Sequence, residues 1–282
     1  MPELPEVETV RRGLVGFIVG KNVVKITTLS EKSFSGDRKD VIGRGVVEIV
    51  RRGKVLIMRL DGGWNLMVHL RMTGQLVYVG DERFAAGHPT DEFFLEMPGR
   101  HTRVFLEFSG GGMLYFNDQR KFGFIKVMND AELKKDVFLV KLGPEPWGLS
   151  PEDFFNRLQG RKNTSIKAAI LDQSVIAGVG NIYADEGLWR AKIFPGRKVK
   201  DVTESETGKL LEGIREVMEA SISSGGSTMK DYVKADGTKG NYLEKFAKVF
   251  GRKDGECERC GGVINKIKVA GRGTHYCPRC QK

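Results

Sequence analysis

Long apolar runs are missing from this 282-residue chain: none reaches the ~18 residues a membrane-spanning helix needs, and no lipidation motif occurs. The first residues, Met1-Pro2-Glu3-Leu4-Pro5-Glu6, do not form a basic segment followed by an apolar one, so a cleaved secretory signal is not expected. Cysteine is scarce, with four residues in all (Cys257, Cys260, Cys277 and Cys280). So few thiols, spaced as two CxxC pairs, make a disulfide framework the poorer reading and favour a metal in a reducing cytoplasm. Internal repeats are absent too. Acidic residues are outnumbered, 36 against 46 Lys and Arg, leaving a net charge of +10 and a pI near 9.4. A polyanionic partner is implied, and nucleic acid fits better than a membrane surface.

What is present divides into a β-rich half and a helical half. Runs rich in Val, Ile, Phe and Leu at 22–28, 46–60, 64–79, 93–97, 102–108, 113–117 and 122–128 predict strands. Ser109-Gly110-Gly111-Gly112 reads as a hairpin turn, and turns at this spacing suggest a sandwich or barrel. Residues 81–90 are expected to be an exposed loop. Prolines and glycines at 142–151 suit an ordered linker, with Trp147 anchoring it to one side. Beyond it the period changes to that of helices, at 151–159, 165–171, 182–192 and 203–224. The last of these opens on a Thr203/Glu206 capping box and carries a core stripe of Leu210, Leu211, Ile214, Val217 and Met218. Residues 227–241 lack periodicity and are expected to be mobile. The domains are therefore drawn at 2–135, a linker at 136–151, a helical domain at 152–250 and a finger at 251–282.

Four constellations carry chemistry. With Met1 removed, Pro2 would offer a secondary amine of pKa ~8, far more often unprotonated at neutral pH than a lysine at ~10.4. Its adduct with an aldehyde-like carbon is an iminium, a fixed electron sink. Glu3 stands beside it, and Pro5 suits the first position of a short helix expected to end near Gly13 or Gly16. Taken alone, these residues could equally be no more than a helix start. The second constellation is Cys257-x2-Cys260-x16-Cys277-x2-Cys280, whose four thiolates suit one closed, structural zinc. Between the pairs, strands at 263–268 and 274–276 would present Arg272 at a glycine-flanked tip, suited to a groove and its phosphates. Third, the glycine-rich turn at 177–183 places Asn181 as an expected N-cap, where backbone N–H groups can meet an anion; Lys167 on the preceding helix strengthens that reading. Fourth, Arg51-Arg52-Gly53-Lys54, His69-Leu70-Arg71-Met72 and Gln119-Arg120-Lys121-Phe122 put cationic groups beside Met72 and Phe122 at loop ends. Such residues are usually core, but here they suit apolar wedges that enter a duplex where a base has left.

Along essentially its whole length the chain resembles the bacterial formamidopyrimidine-DNA glycosylases. The resemblance rests on PELPEVET, RRGK, HLRMTG, QRKFG, LGPEP, TSIKAAILDQ, AGVGNIYADE, GGSTMKDY and GRGTHYCPRC, met in that order. It implies a multidomain α+β architecture: an N-terminal β-sandwich with flanking helices, then a C-terminal helix–two-turn–helix domain and a four-cysteine zinc finger. It also implies a monomeric enzyme that removes oxidised purines from double-stranded DNA and then cleaves the abasic site. Carried across, Pro2 would be the nucleophile, Glu3 the acid for the sugar oxygen, and Lys54 a proton donor near the lesion. His69, Asn181 and Arg272 would hold phosphates, Lys167 would handle the lesion or a phosphate, and Met72, Arg120 and Phe122 would fill the vacated stack. Residues 227–232 would close over the lesion. Two other classes stay open at this point: an endonuclease VIII-like glycosylase for oxidised pyrimidines, and a non-catalytic zinc-ribbon protein that binds DNA.

Overall fold

The computed structural model describes residues 1–88, 96–225 and 247–282. The expected strand at 93–97 and the expected mobile stretch at 227–241 fall mostly or wholly outside these residues. The chain forms two compact units, with a break after Val140.

The first unit opens with helix α1 (Leu4–Ile18), followed by β1 (Val23–Thr28), β2 (Phe34–Ser35), β3 (Val46–Arg52), β4 (Val55–Leu60), β5 (Trp64–His69), β6 (Gly74–Val79), β7 (Arg83–Gly87), β8 (Thr102–Phe108), β9 (Met113–Asp118) and β10 (Phe124–Asn129). Two five-stranded sheets, ordered β1-β8-β9-β6-β7 and β2-β10-β5-β4-β3, share one core. That core includes Leu56, Leu66 and Val68 from one sheet, Leu76, Leu106 and Phe116 from the other, and Val7, Val10, Leu14 and Ile18 from α1. Short helices α2 (Asp130–Lys135) and α3 (Val137–Val140) close the unit, the former started by a capping box between Asn129 and Glu132.

Several expectations need correction. Helix α1 begins at Leu4 with Pro5 second, and it continues through Gly13 and Gly16 to Ile18. Gly13 is there for packing: a Cβ would lie 2.1 Å from the Phe84 ring, so the glycine lets β7 approach the helix. The stretch read as a loop at 81–90 contains β7, whose Phe84 is buried against α1; five residues alternating around a single aromatic are too short to announce a strand. The long runs 46–60 and 64–79 each fold back on themselves. Gly53, at φ 59°, breaks the first, and the second breaks at 70–73, where a Cβ on Gly74 would strike the Leu70 carbonyl oxygen at 2.3 Å.

The second unit comprises α4 (Pro151–Gln159), α5 (Ile166–Leu171), α6 (Asn181–Ala191), α7 (Glu204–Ser223) and the hairpin β11 (Asn265–Val269) and β12 (Arg272–Tyr276). Ser150, Ser165 and Thr203 cap α4, α5 and α7 through their hydroxyls. Helix α7 packs along α6, and Gly187 permits the close crossing, since its Cβ would sit 2.7 Å from Ile214. The Pro- and Gly-rich stretch before α4 lies on this unit. Arg215 of α7 donates to the Pro146 carbonyl at 2.9 Å, and Trp147 Nε1 donates to Glu219 at 2.5 Å. Among the described residues no helix is long and apolar enough to cross a membrane.

Candidate functional site

In the first unit the sequence-predicted residues cluster because of strand register. His69 lies opposite Val55 on β4 and Phe124 on β10, while Gly74 lies opposite Asp118 on β9. The turn carrying Lys54 and the loops 70–73 and 119–123 therefore share one end of the sandwich. A single buried carboxylate joins the two loops. Asp118, with no exposed surface, accepts from the Thr73 hydroxyl, from Arg120 N at 3.1 Å, from Phe122 N at 2.8 Å and from Gly123 N at 2.7 Å. With the backbone so held, Met72 and Phe122 stay 36% and 54% exposed, and the Arg120 guanidinium sits 4.8 Å over the Phe122 ring. Arg71 and Lys121 adopt left-handed φ values of 51° and 56°, a conformation that non-glycine residues adopt only when their surroundings dictate it.

His69 is buried, and its Nδ1 accepts from Arg71 N at 3.1 Å, which leaves the ring proton on Nε2. Burial, reinforced by the charges of Arg71 and Lys54, lowers its pKa to about 3, so the ring is a neutral donor at physiological pH. Lys54 is itself buried, at the turn after Gly53. Arg51 connects that turn to α1 by donating to the Gly53 carbonyl at 3.1 Å and to Glu8 at 3.1 Å. Pro2 and Glu3 are buried at the head of the same helix, where the Glu6 carboxylate accepts from Glu3 N at 2.8 Å within a capping box. Here Pro2 is joined to Met1, and its nitrogen becomes an amine only on removal of that residue.

In the second unit, three expectations change. Gly180 caps α6 and Asn181 is its first residue, donating from Nδ2 to the Gly273 carbonyl at 3.1 Å. Arg272 is exposed, but the turn is Ala270-Gly271, so it begins β12 opposite Val269 instead of occupying the tip. Lys167 has no exposed surface: its ammonium donates to Asp185 Oδ1 at 2.6 Å, to Thr274 Oγ1 at 2.8 Å and to the Gly273 carbonyl at 3.3 Å. A phosphate cannot reach it in this arrangement, and the expectation of a direct anion contact is corrected on that ground. The carboxylates of α6 are likewise internal. Asp185 Oδ2 accepts from His275 N at 2.8 Å, and Glu186 accepts from Lys248, Val249 and Phe250 N at 2.8–2.9 Å.

The four cysteines converge, with all Sγ atoms within 4.8 Å of one another and pairs at 3.5 Å (Cys260–Cys277) and 3.9 Å (Cys257–Cys280). Sulfurs about a tetrahedral zinc at ~2.3 Å are separated by roughly 3.8 Å, so the set fits one structural zinc with no open position. Trp189 Nε1, 3.5 Å from Cys257 Sγ, and the Gly261 amide, donating to the Cys257 carbonyl at 2.9 Å, stiffen the first pair.

Sequence reasoning missed Asp118, Asp185 and Glu186 as organising groups. For Asp118 a signal existed, since Asp before a polar loop favours bonds to the amides that follow; the two helical carboxylates gave none. Residues 227–232, expected to close over a lesion, lie outside the described residues.

Family models match in three blocks: the formamidopyrimidine-DNA glycosylase N-terminal domain over residues 1–125, its H2TH domain over 142–233, and the zinc finger found in FPG and IleRS over 255–282. The curated formamidopyrimidine-DNA glycosylase of Heliobacterium modesticaldum is 41% identical over 289 aligned residues that cover all of both chains. That of Desulfitobacterium hafniense is 39% identical over 291 residues, again with full coverage of both. Among solved structures, a complex between the Lactococcus lactis Fpg and DNA containing an abasic site superposes with a TM-score of 0.85 at 33% identity over the whole of both chains. The Fpg protein of Thermus thermophilus gives 0.85 at 37% identity, covering 99% of this chain and 98% of its own. The chain belongs to the formamidopyrimidine-DNA glycosylase family.

Proposed function

We propose that this protein is a base-excision-repair glycosylase that removes oxidised purines (8-oxoguanine and formamidopyrimidines) from duplex DNA and then cleaves the abasic strand, acting as a monomer in the cytoplasm. The observation that carries this reading is the wedge end of the sandwich, where one buried carboxylate presents Met72, Arg120 and Phe122 to solvent. An exposed aromatic and thioether beside a guanidinium have a use when a base has been flipped out and its place in the stack must be filled. Lactococcus lactis relatives have been solved with abasic-site and Fapy-dG DNA, which supports the same ligand class here.

In this mechanism the Pro2 nitrogen attacks C1′ and gives up its proton, and the C1′–N bond breaks with its electron pair leaving on the base. The C1′–O4′ bond breaks as Glu3 protonates the ring oxygen, which leaves an iminium between Pro2 and the opened sugar. Lys54 serves as a proton donor close by. The resulting iminium acidifies C2′–H; loss of that proton expels the 3′ phosphate, a second elimination expels the 5′ phosphate, and water releases the sugar remnant from Pro2. Neutral His69, together with Asn181 and Arg272, holds phosphates. Zinc folds the hairpin that carries Arg272 and enters no chemical step.

Borohydride reduction in the presence of lesion-containing duplex tests this reading. The mature protein should become covalently attached to DNA, and a form carrying one uncleaved residue before Pro2 should bind DNA without attaching, because its nitrogen is an amide. Full attachment of the extended form would move the chemistry to a lysine.

A further inference from the structure

Lys167 contributes a charge that no mechanistic step uses, yet it is the most completely enclosed cation among the described residues. Its ammonium has three donors, and three acceptors meet them: Asp185 Oδ1, the Thr274 hydroxyl and the Gly273 carbonyl. The other Asp185 oxygen takes the His275 amide, so the pair grips three consecutive residues of β12 immediately after Arg272. The Gly273 carbonyl also accepts from Asn181, which sits one turn before Asp185 on α6. A two-stranded hairpin is marginal by itself, so these bonds decide where β12 lies against α6.

We infer that Lys167 and Asp185 form a positioning pair that fixes the spacing between Asn181 and Arg272, and so pre-organises the two groups that hold the DNA backbone. This rests on the proposed phosphate contacts of Asn181 and Arg272. Removing either charge leaves the other buried and unpaired, which displaces the strand it holds.

The test uses the full-length, zinc-loaded protein and a duplex carrying an abasic-site analogue, with affinity measured across a range of KCl. Arg272→Ala should lower the slope of log affinity against log salt by about one unit. Asp185→Asn makes the protein more positive, and simple electrostatics would have it bind DNA more tightly. Positioning requires the reverse: about tenfold weaker binding, a slope lowered like that of Arg272→Ala, and little further loss when the two changes are combined. Excision at saturating DNA should stay near wild type while KM rises. The His275 amide should exchange faster in Asp185→Asn with zinc retained; if zinc is lost, Thr274→Val, which removes a single acceptor, should give the same weakened binding. Unchanged or tighter binding by a zinc-loaded Asp185→Asn, or losses that simply add to those of Arg272→Ala, would overturn the positioning role. An Arg272→Ala protein with unaltered affinity and slope would instead refute the phosphate contact beneath it.

Discussion

Glu8 shows how a single residue of the amino-terminal motif serves structure. Burial by itself would raise its pKa, but hydrogen bonds from Arg11, Arg12 and Arg51 outweigh that and bring it down to about 2. A carboxyl whose folded pKa lies below its unfolded value of 4.5 adds stability that is fully present above pH 4.5 and is lost as pH falls toward 2. The contribution is on the order of 2 kcal/mol once the exposure of Arg12 is allowed for. Glu8→Gln should therefore melt lower at pH 7 and show a flatter loss of stability between pH 4.5 and 2 than the wild type. Parallel acid limbs for the two proteins would mean that the arginines interact equally well with an amide.

At the scale of elements, the end of the sandwich is organised by two loops that cross between the sheets, and Asp118 is their shared anchor. Replacing it with Asn keeps the size but points a donor at backbone donors, since Phe122 N and Gly123 N both approach the same oxygen. The cost of leaving such groups unsatisfied is about 1–3 kcal/mol each. Asp118→Asn should lower the melting temperature, accelerate amide exchange at Arg120, Phe122 and Gly123, and reduce excision from duplex DNA. Unaltered exchange at those amides would show that the loops hold their left-handed residues without the carboxylate.

For the whole molecule, the excess of 46 basic over 36 acidic residues sets a strong dependence of DNA binding on salt. The finger adds a second dependence, on metal. The small cluster formed by Trp189, Val249, Cys257, Ile264 and Cys277 contains two of the zinc ligands, so it has little apolar material left to hold the hairpin without the ion. Chelation should expose the amides of β11 and β12 to exchange and weaken DNA binding, while amides in β4 and β5 remain protected. Retention of full affinity by zinc-free protein would show that the hairpin folds unaided.

What the sequence alone determined is whatever a few neighbouring residues can specify. The cap at Thr203, the stripe along α7, the pairing of CxxC motifs around one zinc and the chemical distinctiveness of Pro2 depend on spacing of a few positions. The tertiary structure decided which groups are reachable. Lys167 and Arg272 carry the same charge in equally suggestive motifs, yet one is enclosed by Asp185 and by Thr274, 107 residues away, while the other faces solvent. Gly13 looks like a helix stop until Phe84 is set against it, and Asp118 is one more acid at a strand end until Thr73 arrives from the loop between β5 and β6. Burial, and with it the role of a charge or a glycine, depends on what lies next to a residue in space, and for these positions those neighbours come from distant parts of the chain.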